Sequence, residues 1–363
     1  MDYMELALSL ARLAQGQVSP NPAVGAVIVK NDAILGQGYT QPPGGDHAEI
    51  VALKQAGREA RGATLYITLE PHCHQGRTPP CTRAIIDAGI AEVHFAVIDP
   101  NPQVAGKGHA ELQKAGIKVY LGERAEEASE INEAFNKYIL TGLPFVTVKF
   151  ASSLDGKIAT RAGESKWITG AAARKHVQHL RYVSDAVMTG ANTVIIDDPR
   201  LTIRLAVKGG VTHKQPLRII IDGQGRTPRQ ARLFKEPGRT LLVVANTVTP
   251  EVKRNLKETG AELLEMPADN GVIDLAELLK VLGSREITSI LVEAGGILLG
   301  SLFDRGLVDK VIALMAPIII GGEEARPSVA GRGVEKLSDC ARLKRVRVER
   351  VGEDVMVVGY VSK

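Results

Sequence analysis

The sequence predicts an α/β protein of two domains, residues 1–143 and 144–363, and three observations carry that reading. At 363 residues the chain exceeds what one ordinary hydrophobic core holds. Short β-branched apolar runs alternate with segments of helical periodicity along most of its length. The pattern restarts after Thr141-Gly142-Leu143-Pro144, and a dense cluster of histidine and cysteine in the first part has no counterpart in the second.

The elements follow in order. Apolar residues at helical spacing predict a helix over 3–14, stopped by Gly16 and then Ser19-Pro20-Asn21-Pro22. Residues 23–29 (AVGAVIV) read as a buried strand, which Asn31-Asp32 turns into a partner strand over 33–38. A helix over 48–56 places His47 and Glu49 at its N-terminus, where the helix dipole favours an anionic group. A strand is expected over 63–69, then a strand-to-helix corner at 71–74, since Pro71 suits a first helical turn. A helix over 82–88, strand 93–98, helix 110–115, short strand 117–121 and single helix 125–138 complete a three-layer first half. Beyond the boundary, strands are expected over 145–151, 186–190, 217–222, 240–245, 289–293 and 310–317. Helices are expected over 171–182, over 275–282 and after Gly295-Gly296, with a closing antiparallel pair over 346–351 and 355–360.

Composition narrows the function classes. A net charge of +4 is modest for this length, so nucleic acid is not expected as a partner, whereas an anionic small substrate is. Three cysteines, two of them inside one His-rich segment, read as a reduced cytoplasmic chain and not a disulfide framework. No basic, apolar leader opens the sequence, and the apolar run near 312–320 is too short for a membrane span. A cytoplasmic protein without membrane contact is expected.

The chemistry concentrates in residues 64–83, TLYITLEPHCHQGRTPPCTR, with HAE at 47–49 upstream. Imidazole and thiolate are the preferred ligands of zinc, and a catalytic zinc takes three protein ligands and keeps one position for water. Glu49, two residues from His47, is placed to move protons without binding the metal. A structural site normally fills four protein ligands, so three ligands beside a carboxylate suit an open site better. The H-x-E signature is that of the zinc nucleobase deaminases, although their second half, P-C-x-x-C, is here a histidine and a cysteine separated by eight residues.

With SPNPAVGAVIV (19–29), GRTPPC (76–81) and DPNPQVAGKG (99–108), the first half resembles the deaminase domain of the RibD (RibG) family of bifunctional riboflavin-biosynthesis deaminase/reductases. The resemblance implies a cytidine-deaminase-like fold and zinc held by His47, Cys81 and the residue after Pro71. The family has a cysteine there; this chain has His72, with Cys73 one place later. His72 is the favoured ligand, since imidazole is a competent substitute for thiolate, and Cys73 is the alternative; adjacent residues on a helix point in different directions, so both are not expected to bind. The same resemblance implies that Glu49 is catalytic and that Asn21, His74 and Arg77 hold a phosphorylated pyrimidine substrate. Arg77 suits its phosphate through a planar donor fork.

In the second half VKFASSLDGKIA (148–159), GESKWITG (163–170), HLR (179–181), DDPRLTIR (197–204), VEAGGILLG (292–300) and APIIIGG (316–322) resemble the reductase domain of that family. The resemblance implies a dihydrofolate-reductase-like α/β fold, NADPH as hydride donor and reduction of the substrate ribose. Carried onto this chain, the cofactor side is Ala151, Trp167, Thr193, Asp197, Gly295, Gly296, Ile297, Leu298, Leu299, Gly300 and Ser301. The substrate side is Ser165, Arg181, Leu201, Arg204 and Glu293, with Lys149 and Glu293 also catalytic. Trp167, the only tryptophan, reads equally well as ordinary core packing. A homo-oligomer is expected.

Overall fold

In the computed structural model, which describes residues 1–75, 79–205 and 214–362, the chain divides into two units, Met1–Leu143 and Pro144–Lys363.

The first unit opens with α1 (Tyr3–Ala14), capped by Asp2, whose side chain accepts from the Glu5 N–H. It continues through β1 (Gly25–Lys30), β2 (Ala33–Tyr39), α2 (Ala48–Ala56), β3 (Thr64–Ile67), α3 (Cys81–Ala88), β4 (Glu92–Phe95), α4 (Lys107–Lys114), β5 (Lys118–Leu121), α5 (Ala125–Ile131) and α6 (Glu133–Thr141). The five strands run in the order β2-β1-β3-β4-β5, with β1 antiparallel to β2 and β3 and the remaining pairs parallel. Alternation along β1 makes the three layers: Ala26 and Ile28 pack against Ala48 and Ala52 of α2, while Val27 and Val29 pack against Met4 and Leu8 of α1. Two glycines bring α2 unusually close. A Cβ on Gly36 would lie 2.2 Å from the Ala52 carbonyl oxygen, and one on Gly38 would lie 2.3 Å from that of Ala48. Backbone therefore rests on backbone, and the first turn of α2 is fixed against β2.

Two expectations fail here. The helix expected over 125–138 is two helices, broken at Asn132. Its buried carboxamide is drawn to main chain elsewhere, accepting from the Ala23 N–H at 2.8 Å and donating to the Ala23 carbonyl at 3.0 Å. The corner at 71–74 is not helical either; α3 begins only at Cys81, behind Pro79-Pro80.

The second unit contains β6 (Phe145–Ser153), β7 (Lys157–Ala159), α7 (Ala171–Val183), β8 (Ala186–Gly190), α8 (Ala191–Asp197), β9 (Leu217–Ile221), β10 (Thr240–Ala245), α9 (Pro250–Lys257) and β11 (Glu262–Met266). There follow β12 (Ala268–Asp269), β13 (Val272–Ile273), α10 (Leu275–Ser284), β14 (Ser289–Val292), α11 (Gly296–Asp304), β15 (Lys310–Ala316), β16 (Arg326–Pro327), β17 (Leu343–Val351) and β18 (Asp354–Val361). Nine strands form one sheet in the order β11-β10-β9-β8-β14-β6-β15-β18-β17, parallel as far as β15 and closed by the expected antiparallel pair. Val146, Met188, Ile219 and Val243 meet α10 and α11 on one face; Val187, Ile220 and Leu242 meet Val194 of α8 and Leu256 of α9 on the other. The sequence reading missed α8, which is short and rich in β-branched residues, and α9, half of it charged, whose apolar face rests on Val252 and Leu256 alone.

Candidate zinc centre and reductase cavity

Three side chains from separate elements of the first unit converge. His47 is the N-cap residue of α2, His72 lies in the extended segment after β3, and Cys81 is the first residue of α3. One ligand atom from each lies within 4.8 Å of the others. Cys81 Sγ is 3.4 Å from His47 Nδ1, and the two imidazole rings are centred 4.6 Å apart. The main chain holds this geometry: the Thr82 N–H donates to the His72 carbonyl, binding the extended segment to the first turn of α3. Two nitrogens and one sulfur at this spacing match a three-ligand zinc site with an open position.

Glu49 stands in the first turn of α2 and is buried. Burial pushes its carboxyl up, against the pull of His47, so the group holds a proton more readily than an exposed glutamate. Burial likewise pushes the Cys81 thiol up, and the neighbouring Glu49 adds to this; a cation at the site reverses that balance. Cys73 is not part of the converging set. Its thiol is raised by burial and then by Glu111 and Glu70.

Around the centre, His74 lies edge-on to His72, ring centroids 5.7 Å apart, and its buried Nδ1 has no hydrogen-bond partner among the described residues. Asn21 turns within its own loop, its N–H bonded to the Val18 carbonyl. Arg77 lies outside the described residues. One supporting residue escaped the sequence reading. The buried Glu70 carboxylate accepts from the N–H groups of Asp99, Gly106 and His109, fastening the 99–109 loop beneath Pro71. There Gly108 touches the Pro71 carbonyl so closely that a Cβ would lie 2.1 Å away. Lys107, the first residue of α4, spends its ammonium on the Pro102 and Gln103 carbonyls.

In the second unit a cavity of about 720 Å³ opens at the C-terminal ends of β8, β9 and β14. Ser165, Thr193, Asp197, Gly295, Gly296, Ile297, Leu298 and Ser301 line it. Leu299 and Gly300, from the same stretch, do not: Leu299 is in the core, and Gly300 is pressed against the Ala330 carbonyl. The Gly295 N–H donates to Thr193 Oγ1, and Ser165 Oγ donates to Asp197 Oδ1 at 2.7 Å. Trp167 is 73% exposed with the Arg174 guanidinium 4.7 Å from its ring, which excludes core packing; Ala151 is half-buried on β6, and neither lines the cavity.

Lys149 on β6, Arg181 on α7 and Glu293 at the end of β14 form a buried ionic triad. Burial would raise the Glu293 carboxyl, but Arg181 and Lys149 overcome this and hold it down at about 2. The Arg181 guanidinium is largely committed, to both Glu293 oxygens and to the Thr202 carbonyl. Arg204 is exposed and among the described residues its guanidinium donates only to Thr202 Oγ1, at 3.5 Å, so the guanidinium with donors to spare on this side is Arg204 and not Arg181. Leu201 is 3% exposed, with left-handed backbone at φ 54°, and its side chain packs in the core. Sequence reasoning missed Asn192, Arg226, Arg305 and Arg326 of the cavity, since none sits in a recognisable motif.

Comparison with known proteins agrees with this division. Residues 1–97 match the model of the cytidine and deoxycytidylate deaminase zinc-binding region, and residues 144–357 that of the RibD C-terminal domain. The chain is 44% identical over 361 residues to the riboflavin biosynthesis protein RibD of Escherichia coli K12, covering 97% of each. It is 43% identical to RibD of Aquifex aeolicus, covering 98% of this chain and 97% of that one. Among solved structures it superposes on Acinetobacter baumannii RibD with a TM-score of 0.86 at 38% identity, covering 99% of this chain and 98% of that one. A diaminohydroxyphosphoribosylaminopyrimidine deaminase/5-amino-6-(5-phosphoribosylamino)uracil reductase of Thermotoga maritima gives 0.86 at 34% identity over the same shares. No helix among the described residues is long and apolar enough to cross a membrane. The chain belongs to the RibD family of bifunctional riboflavin-biosynthesis deaminase/reductases, with zinc and NADPH as its cofactors.

Proposed function

We propose that residues 1–143 deaminate 2,5-diamino-6-(5-phosphoribosylamino)pyrimidin-4-one and that residues 144–363 reduce the resulting 5-amino-6-(5-phosphoribosylamino)uracil to its ribitylamino product. The observation that carries the first half is the convergence of His47, His72 and Cys81 beside the buried Glu49. These three side chains hold zinc, with His72 and not Cys73 as the second ligand. Zinc supplies Lewis-acid activation of water. Glu49 takes the proton released as water adds to the amine-bearing ring carbon and returns it to the departing ammonia; its raised proton affinity suits both transfers. His74, with an unspent ring nitrogen, donates to or accepts from the pyrimidine edge, and Asn21 and Arg77 complete the substrate side.

In the second half Thr193, Asp197 and the start of α11 would hold NADPH, which would supply the hydride, with Ala151 and Trp167 also on the cofactor side. The hydride adds to the sugar carbon bonded to the ring amine, and the sugar ring oxygen takes a proton as the ring opens. Lys149 provides that proton. Glu293 holds Lys149 in place, and Arg181 keeps Glu293 ionised. Arg204 meets the substrate phosphate, with Ser165 and the Leu201 main chain beside the sugar. A homo-oligomer fits the exposed nine-residue edge strand β17, where Val346 and Val348 face solvent, and sedimentation velocity tests it. A cytoplasmic location fits three cysteines that are all free.

The test is a time course on the pyrimidine substrate, scored for ammonia and for NADPH oxidation. Glu49→Gln should retain zinc, lose ammonia release and still oxidise NADPH when given the deaminated intermediate. Ammonia release by that variant at the wild-type rate would remove Glu49 from the reaction.

A further inference from the structure

We propose that Arg226 reads the adenosine phosphate that distinguishes NADPH from NADH, making it the cofactor-specificity determinant of the reductase unit. This rests on the reading above that the cavity at the ends of β8, β9 and β14 takes the dinucleotide.

The cavity has a direction. At one end, Gly295 and Gly296 open α11; the Gly295 N–H donates to Thr193 Oγ1, and the helix start there suits a diphosphate. At the other, Asp222, Gly223, Gln224 and Arg226 follow β9. In the sheet β9 is separated from β14 by β8 alone, two inter-strand steps of ~4.8 Å, or roughly 10 Å. That is about the reach from the diphosphate across the adenosine ribose. The wall there is partly apolar. Gly223 lies against the tip of the β12–β13 hairpin, where a Cβ would be 1.9 Å from the Gly271 carbonyl oxygen. This seats Val272, 57% exposed and lining the cavity, beside the Arg226 loop, where a purine would find an apolar surface.

Arg226 is held ready. The buried Asp222 carboxylate accepts the Arg226 N–H at 2.9 Å and the Thr227 N–H at 2.7 Å, fixing the loop onto the end of β9. The guanidinium donates through Nη2 to Asn192 Oδ1 at 3.0 Å, a neutral acceptor that orients it without cancelling its charge. Among the described residues no carboxylate forms an ion pair with it. A phosphate monoester carries close to two negative charges at neutral pH and accepts bidentate hydrogen bonds from a planar fork. NADPH has such a group on its adenosine ribose, and NADH does not.

Two other arginines line the cavity. Arg305 donates to the Ser301 carbonyl at the C-terminal end of α11, where the helix dipole offsets its charge. Arg326 lies on the two-residue β16, paired with β7. They serve as comparators.

The test measures binding to the full-length protein. NADPH and NADH are titrated by nucleotide fluorescence, and 2′,5′-ADP and 5′-ADP by calorimetry. Arg226→Ala should weaken NADPH and 2′,5′-ADP roughly 10- to 100-fold, the scale of one charge-assisted phosphate contact, and leave NADH and 5′-ADP within about twofold. Arg226→Lys, which keeps the charge and loses the fork, should fall between. An unchanged NADPH/NADH ratio in Arg226→Ala overturns the assignment. Equal weakening of all four ligands does so too, as does loss of discrimination in Arg305→Ala or Arg326→Ala instead. Ile297→Trp separates the two levels of the argument. It fills the cavity and should weaken NADPH and NADH alike; if it weakens neither, the cavity reading itself fails.

Discussion

Arg181 clasps Glu293 through two nitrogens, Nε at 2.5 Å and Nη2 at 3.1 Å, and each side chain keeps only 10% of its exposure. A carboxylate gripped in this way is ionised across the working range. Its folded proton affinity, at about 2, lies below the ordinary glutamate value of 4.5. The stabilisation it gives is therefore present above pH 4.5 and is lost as pH falls through about 2. Glu293→Gln should remove much of the acid sensitivity of the second unit below pH 4.5 and slow NADPH oxidation roughly 100-fold, with ammonia release unchanged. Trp167 is the only tryptophan, so its fluorescence in urea reports the unfolding of this unit alone. An acid limb identical to wild type would mean that Glu293 carries no such linkage.

The assignment of the second zinc ligand separates two neighbouring side chains. His72→Ala should lose zinc by more than the ~10- to 100-fold that loss of an outer hydrogen-bond partner costs, and Cys73→Ala should keep it. Zinc per chain, measured by atomic emission after dialysis, distinguishes them. Retention in His72→Ala with loss in Cys73→Ala reverses the assignment.

Gly38→Ala tests whether the close approach of β2 and α2 sets the site. The new methyl group would fall 2.3 Å from the Ala48 carbonyl oxygen, one residue from both His47 and Glu49. A cost of about 1–3 kcal/mol is expected as the helix lifts away, with slower ammonia release and an unaltered reductase rate. Parallel assays of the two reactions on one preparation read this out. A wild-type deaminase rate would show that α2 can shift without moving its first turn.

Asp99 gives the first unit a pH dependence of opposite sign. Burial raises its carboxyl to about 6. Because the folded value exceeds the unfolded one, its contribution is fully present below the unfolded value near ~4 and is lost as pH rises through 6. Asp99→Asn can still accept the Asn101 N–H and should be more stable than wild type at pH 8 by about 2 kcal/mol, with little difference at pH 4. Urea-induced zinc release at the two pH values measures it. Parallel wild-type and variant profiles would show that Asp99 is not the titrating group.

Much of this was legible in the sequence, for identifiable reasons. The order of strands and helices up to the boundary near Pro144 followed from periodicity and from Gly and Pro stops. That His47, His72 and Cys81 converge was legible because few residue types bind zinc and all of them lay in two short segments. What was not legible depended on distant partners. The break at Asn132 is caused by a main-chain group 109 residues away. The Glu70 carboxylate has its partners 29 to 39 residues downstream. Arg226 belongs to the cavity only because β9 lies two places from β14 in the sheet. Leu299 and Leu201 looked like ligand contacts along the chain, yet face the core once the chain is folded.

The contact of Gly36 and Gly38 with Ala52 and Ala48 has no side chain whose shape can drift. Most of a core can exchange one apolar residue for another over generations, with helices shifting to follow. Here the spacing between strand and helix is set by the peptide groups themselves, which every sequence shares. The orientation of His47 and Glu49 is therefore insulated from neutral change in the surrounding core, at the expense of two positions where any residue but glycine pushes the helix away.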